Sequence, residues 1–185
     1  MRLFIAILFE ENVKSSLYKA MEGLHKVVKS GSFTAQENLH LTVNFIGETK
    51  RLEEVKKAMQ QAINTIKPEK FQLTIRDLGK FKRREGDIYW LGVEREDTLW
   101  RLQKELVKEL KEAGFFDIDD MEYTPHLTIG RRIVLANSLL PENIEMGMLP
   151  LQMEVAKISL MESERINGKL VYTEIYQVGL RENNQ

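Results

Sequence analysis

The sequence has no cysteine. Disulfide scaffolds, Cys-based zinc sites, iron–sulfur clusters and thiol nucleophiles are therefore excluded. Histidine is scarce: His25, His40 and His126 are the only imidazoles in 185 residues. Net charge is almost absent. The 27 basic and 28 acidic side chains leave −1, which excludes a globally basic nucleic-acid binder but not a local basic patch. Long apolar runs are missing too. The longest, residues 3–9, falls far short of the roughly 20 residues of a membrane helix. Glu10, Glu11 and Asn12 follow it where a signal peptide would carry a small-residue cleavage site, so it reads as a buried strand. A cytoplasmic protein without membrane contact is the expectation.

What is present suits one globular unit. Hydrophobic residues at 43% and charged residues at 30% argue against disorder, and no Pro/Ser-rich linker divides residues 1–185. Val13, Leu17, Met21, Leu24 and Val28 form a helical stripe ending near Gly31. Leu52, Val55, Met59, Ile63 and Ile66 form a second stripe, closed by Pro68, and Leu99, Leu102, Leu106 and Leu110 a third, capped by Gly114. Strands are expected over 39–46, 71–75, 88–93, 123–131, 155–161 and 170–178, with a long loop over 136–150. Asn167-Gly168 marks a tight hairpin between the last two. The result is an α+β chain with mostly antiparallel sheet and helices outside.

One internal echo stands out. His40-Leu41-Thr42-Val43 returns 86 residues later as His126-Leu127-Thr128-Ile129. The chance that some pair of three histidines shares its next two residues is on the order of one in a hundred at ordinary composition. Residues i and i+2 of a strand share a face, about 6–7 Å apart. Each copy therefore presents one imidazole and one hydroxyl together and sends Leu41 and Val43, or Leu127 and Ile129, into a core. Two such faces across a cleft suit a phosphodiester. One histidine takes a proton from the nucleophile, the other gives one to the leaving oxygen, and the Thr42 and Thr128 hydroxyls donate to phosphate oxygens. A lone strand histidine is more often structural, but a duplicated polar face in two apolar strands is hard to justify as packing. A zinc site is the weaker alternative. Two histidines fall short of three protein ligands, and His25 sits at the edge of the first helical stripe, so no metal and no cofactor is expected.

The segment Lys80-Phe81-Lys82-Arg83-Arg84 packs four positive charges into five residues. Lys80 offers a phosphate contact and Phe81 a surface on which a base can stack. Arg131 is a further phosphate contact at the cleft rim, provided a bulge returns it to the face of His126. Tyr123 reads as aromatic core, while Ser163 and Tyr172 flank the last hairpin within reach of the cleft.

His-Leu-Thr-Val and His-Leu-Thr-Ile resemble the two HXTX motifs of the 2H phosphoesterase superfamily, and the closest resemblance is to its RNA 2′,3′-cyclic phosphodiesterases, or 2′-5′ RNA ligase-like proteins. Residues 1–7, 38–42 with 45–48, 79–81, 90–93 and 123–131 carry it over nearly the whole chain. Val43-Asn44, and Lys82 where proline is common, depart from the pattern. The resemblance implies a bilobal fold of two pseudo-symmetric lobes around a central cleft. It implies metal-free hydrolysis of RNA or nucleotide 2′,3′-cyclic phosphate ends to 2′-phosphates, with His40 as proton donor and His126 as proton acceptor, and a possible reverse 2′-5′ ligation. Nothing in the sequence requires a protein partner. A non-catalytic RNA- or nucleotide-binding module is the alternative from a different class.

Overall fold

The computed structural model describes residues 1–119 and 121–182. Among the described residues, nine strands form two antiparallel sheets. In chain order the elements are β1 (Arg2–Leu8), α1 (Glu11–Ala20), α2 (Glu22–Val27), β2 (Val28–Phe33), β3 (His40–Glu48), α3 (Leu52–Ile66), β4 (Phe71–Phe81), β5 (Asp87–Val93), α4 (Asp97–Glu112), β6 (His126–Leu135), β7 (Leu151–Val155), β8 (Lys157–Ile166) and β9 (Lys169–Gly179). The first sheet runs β3-β1-β8-β9 and the second β2-β6-β5-β4-β7. Each sheet draws on both halves of the sequence, so the echo does not mean one lobe per half.

Hydrophobic spacing explains the helices. The α3 stripe buries Val55, Ala58, Met59, Ala62 and Ile63, and the α4 stripe buries Leu99, Leu102, Leu106 and Leu110. These helices pack on each other, and both touch the first sheet. The α3 helix stops where Lys67 turns left-handed (φ 48°) just before Pro68, and the Lys67 N–H closes the last turn on the Ile63 carbonyl. Glu96 caps α4 by accepting from the Thr98 N–H at 3.1 Å. One apolar core joins both sheets and the helices, while Phe4, Ala6 and Met161 form a separate small cluster on the other face of the first sheet.

Three local expectations are corrected. The first helical stripe does not run on to Gly31, because α2 ends at Val27 and the chain enters β2. Residues 155–161 are not one strand: β7 and β8 meet at Ala156 and belong to different sheets. Lys80 and Phe81 end β4 and are not loop residues. The Asn167-Gly168 turn is present, both residues having positive φ (50° and 80°), as a two-residue hairpin turn requires.

Candidate active site

His40 and His126 are each the first residue of a strand, β3 and β6. Both strands then bury Leu41 and Val43, or Leu127 and Ile129, and leave the histidine and threonine half-buried. A bulge follows in each. In β3 the register jumps from Ala6↔Thr42 to Ile5↔Asn44, and in β6 from Trp90↔Thr128 to Tyr89↔Gly130. Each bulge inserts one residue and reverses the alternation beyond it. The residue five past each histidine returns to the histidine's face and is exposed: Phe45 in one strand and Arg131 in the other. The bulge that Arg131 needs is therefore there, although the two strands place unlike residues at the matching position.

The two imidazoles are held alike. His40 Nδ1 lies 2.7 Å from the Asn38 carbonyl, and His126 Nδ1 lies 2.8 Å from the Thr124 carbonyl. A carbonyl only accepts, so each Nδ1 carries the proton and each Nε2 of the neutral ring is an acceptor. His40 Nε2 is 3.0 Å from Thr42 Oγ1, where the hydroxyl donates to the neutral ring. The strands are also tied to their surroundings alike. The Thr42 carbonyl accepts from Tyr123 Oη at 3.0 Å, and the Thr128 carbonyl accepts from Thr34 Oγ1 at 2.8 Å.

The surroundings of the rings differ. His40 is enclosed by Phe4 (ring centroids 4.9 Å) and by Tyr172 standing perpendicular to it (5.1 Å, 89°). Burial pushes the His40 pKa below its ordinary value. The Arg131 and His126 charges push the same way, against the hydrogen bond to Asn38. His126 instead stands edge-on to Phe81 (5.1 Å, 86°), with Trp90 at 6.1 Å. A small pocket beyond His40 is lined by Leu8, Lys14, Asn38, Tyr172 and Glu174.

Other candidate residues are sorted by strand alternation. Phe81 shares a face of its sheet with Trp90 and stands against His126. Lys80 is turned to the opposite face and ion-paired with Asp87 at 2.8 Å, so the expected Lys80 contact in the cleft is corrected. Arg131 is exposed, and its charge acts on both His40 and Tyr172. Tyr172 lines the small pocket beside His40, and Ser163 pairs with it across β8 and β9. Tyr123 packs its ring on Trp100 (5.6 Å) and sends its hydroxyl to Thr42. His25 packs on Phe33 (3.9 Å) and Tyr18 (5.7 Å). Phe4 and Trp90 were not singled out by sequence. Phe4 lay in an apolar run that shows no facing, and Trp90 had no partner spacing to mark it. Among the described residues, no group of three His, Asp or Glu side chains is placed to hold a metal ion, and no helix is long and apolar enough to cross a membrane.

Paired His-X-Thr strands on two antiparallel sheets define the two-histidine phosphoesterase class. E. coli LigT, solved in complex with 3′-AMP, shares this fold with a TM-score of 0.77 and 26% identity, covering 97% of this chain and 96% of that one. The chain belongs to the 2′-5′ RNA ligase superfamily, whose family model matches residues 14–167. The RNA 2′,3′-cyclic phosphodiesterase of Thermotoga maritima is 35% identical over 71% of this chain and 70% of its own length. The protein of the same name from Methanothermobacter thermautotrophicus is 29% identical over 94% and 96%.

Proposed function

We propose that the protein hydrolyses the 2′,3′-cyclic phosphate at an RNA or nucleotide end to a 2′-phosphate, using two imidazoles and no metal. The observation that carries this reading is the matched pair of Nδ1–carbonyl hydrogen bonds, which leave the Nε2 of His126, and the Nε2 of His40 beside the Thr42 hydroxyl, to exchange protons. His126 Nε2 takes a proton from water as the oxygen attacks phosphorus opposite O3′. The P–O3′ bond breaks, and His40 Nε2 protonates O3′. The Thr42 and Thr128 hydroxyls donate to the non-bridging oxygens, and Arg131 supplies positive charge. The assignment of donor and acceptor follows the family resemblance. Burial makes protonated His40 a readier donor, and a bound phosphate anion favours its charged form. Phe81 and Arg131 serve as contacts to the RNA beyond the phosphate. Run backwards, the same proton transfers join a 5′-hydroxyl to the cyclic phosphate through a 2′-5′ bond. A cytoplasmic setting belongs to this reading.

Phosphorus NMR on a 2′,3′-cyclic nucleotide tests it. The expected product is the 2′-phosphate, formed equally well after chelator treatment. His40→Ala and His126→Ala should each lose about 10²–10⁴-fold in kcat. Near-normal turnover in both variants would refute the mechanism. Binding without product would favour a nucleotide-binding module.

A further inference from the structure

The geometry points to Asn38 as a positioning residue for His40, acting through the far edge of the same sheet. This rests on the hydrolase reading above and adds to it the residue that sets its proton donor. β3 and β9 are the two outer strands of the first sheet. The sheet curls until its edges meet just before β3. There Asn38 Nδ2 donates to the Leu170 carbonyl of β9 at 3.0 Å, across 132 residues of sequence. The backbone carbonyl of the same Asn38 accepts from His40 Nδ1 at 2.7 Å. One residue therefore holds the edge strand with its side chain and the imidazole with its backbone. Tyr172, further along β9, stands perpendicular to the His40 ring at 5.1 Å. Asn38, Leu39 and His40 from one edge, and Tyr172 and Glu174 from the other, line the small pocket between them.

The second motif sets its carbonyl by other means. The carbonyl that holds His126 belongs to Thr124, and Pro125 follows it. A proline fixes its own φ and confines the residue before it to extended backbone, so covalent geometry sets the Thr124 carbonyl. The first motif has Leu39 at that place, which imposes no such restriction. The turn before Leu39 bonds to itself and to α1. The Asn38 N–H donates to the Ala35 carbonyl at 2.9 Å, and Gln36 Nε2 donates to Ser15 Oγ at 3.1 Å. Neither bond reaches the sheet that carries His40, whereas the Asn38 amide does. A carbonyl that drifts releases the Nδ1 proton, and the neutral imidazole then also populates the form protonated at Nε2. In that form Nε2 no longer accepts from the Thr42 hydroxyl, and the ring loses the orientation in which it delivers a proton.

The test combines ¹⁵N spectra of the histidine rings with steady-state kinetics on adenosine 2′,3′-cyclic phosphate. Asn38→Ala and Asn38→Asp both delete the amide donor. The spectra are recorded above the titration of all the rings, with His25 as the internal reference. Expected in both variants is partial Nε2 protonation of neutral His40, with His126 unchanged. kcat should fall at least about tenfold, toward the ~100-fold that a misplacement of about 1 Å costs, with KM within about twofold of the parent. Asn38→Asp nearly keeps the shape of the parent residue, so the test stands even where Asn38→Ala fails to fold. A His40 ring that stays wholly Nδ1-protonated overturns the proposal, and so does an unchanged kcat. Equal disturbance of the His40 and His126 rings is a general loosening and overturns it as well. If the unmodified protein turns over no cyclic phosphate, the hydrolase reading falls, and the spectra alone decide whether Asn38 sets the His40 ring.

Discussion

Tyr123→Phe removes a single oxygen and isolates the tie between the two motif blocks. The hydroxyl donates to the Thr42 carbonyl at 3.0 Å across 81 residues of sequence, and burial pushes its pKa up, so it stays a neutral donor. The ring contact with Trp100 survives the substitution, so the loss is confined to one hydrogen bond and one carbonyl left without it. An unsatisfied buried acceptor costs about 1–3 kcal/mol. At about 2–4 °C per kcal/mol for a chain of this size, Tm should fall by about 2–12 °C. The urea midpoint should fall with no change in slope, since the same surface is exposed on unfolding. Because the bond holds the strand that carries His40 and Thr42, kcat should fall by more than KM rises. Thermal scans and steady-state kinetics beside Tyr18→Phe, an exposed tyrosine expected to be neutral, give the comparison. A Tm within about 1 °C of the parent, with unchanged kcat, would refute the argument that this bond sets the spacing of the two strands.

Other outcomes follow from the same geometry. His40 should titrate in ¹⁵N NMR below the ordinary 6.5, with Nδ1 protonated in the neutral ring, and Arg131→Ala should move it upward; titration at or above 6.5 contradicts the account. The native state resists protonating His40 while the unfolded chain does not. Stability should therefore be lost as pH falls from about 6.5 through the lowered value, and His40→Gln should flatten that part of a Tm-versus-pH curve. Gly79→Ala drives a Cβ into the Trp90 ring and should cost about 1–3 kcal/mol in urea unfolding, with a neutral result showing that the indole has room to move.

Much of this molecule is written in local pattern. The α3 and α4 stripes, the Asn167-Gly168 turn and the parity of His40 with Thr42 each need only a few neighbouring residues to be read, and the structure follows them. The parts that escape depend on contacts distant in sequence or on chemistry without a local sign. The β2 strand carries Lys29, Ser30, Gly31 and Ser32 at the outer edge of its sheet, so no apolar alternation announces it, and Val28 happens to extend the helical stripe before it. The break at Ala156 has neither glycine nor proline to mark it, although it moves the chain from one sheet to the other. Lys80 looked like a phosphate contact because charge density was visible and facing was not; once β4 extends to Phe81, alternation turns Lys80 to Asp87. The Tyr123–Thr42 bond and the Trp90–Gly79 contact have no sequence signal, since each joins distant or unpatterned positions.

The interleaving of strands also bears on how the protein is made. The sheet that carries His126 is drawn entirely from residues 28–155, whereas the sheet that carries His40 is β3 and β1 completed by β8 and β9. Until the ribosome has released residues 157–179, β1 and β3 are a two-stranded ribbon, which is marginal in water. A chain interrupted before Lys157 therefore lacks a firm seat for His40 and Thr42 even though both residues have been synthesised. The seat of the His40 strand is completed last, so a prematurely terminated copy carries both motifs without the finished first sheet.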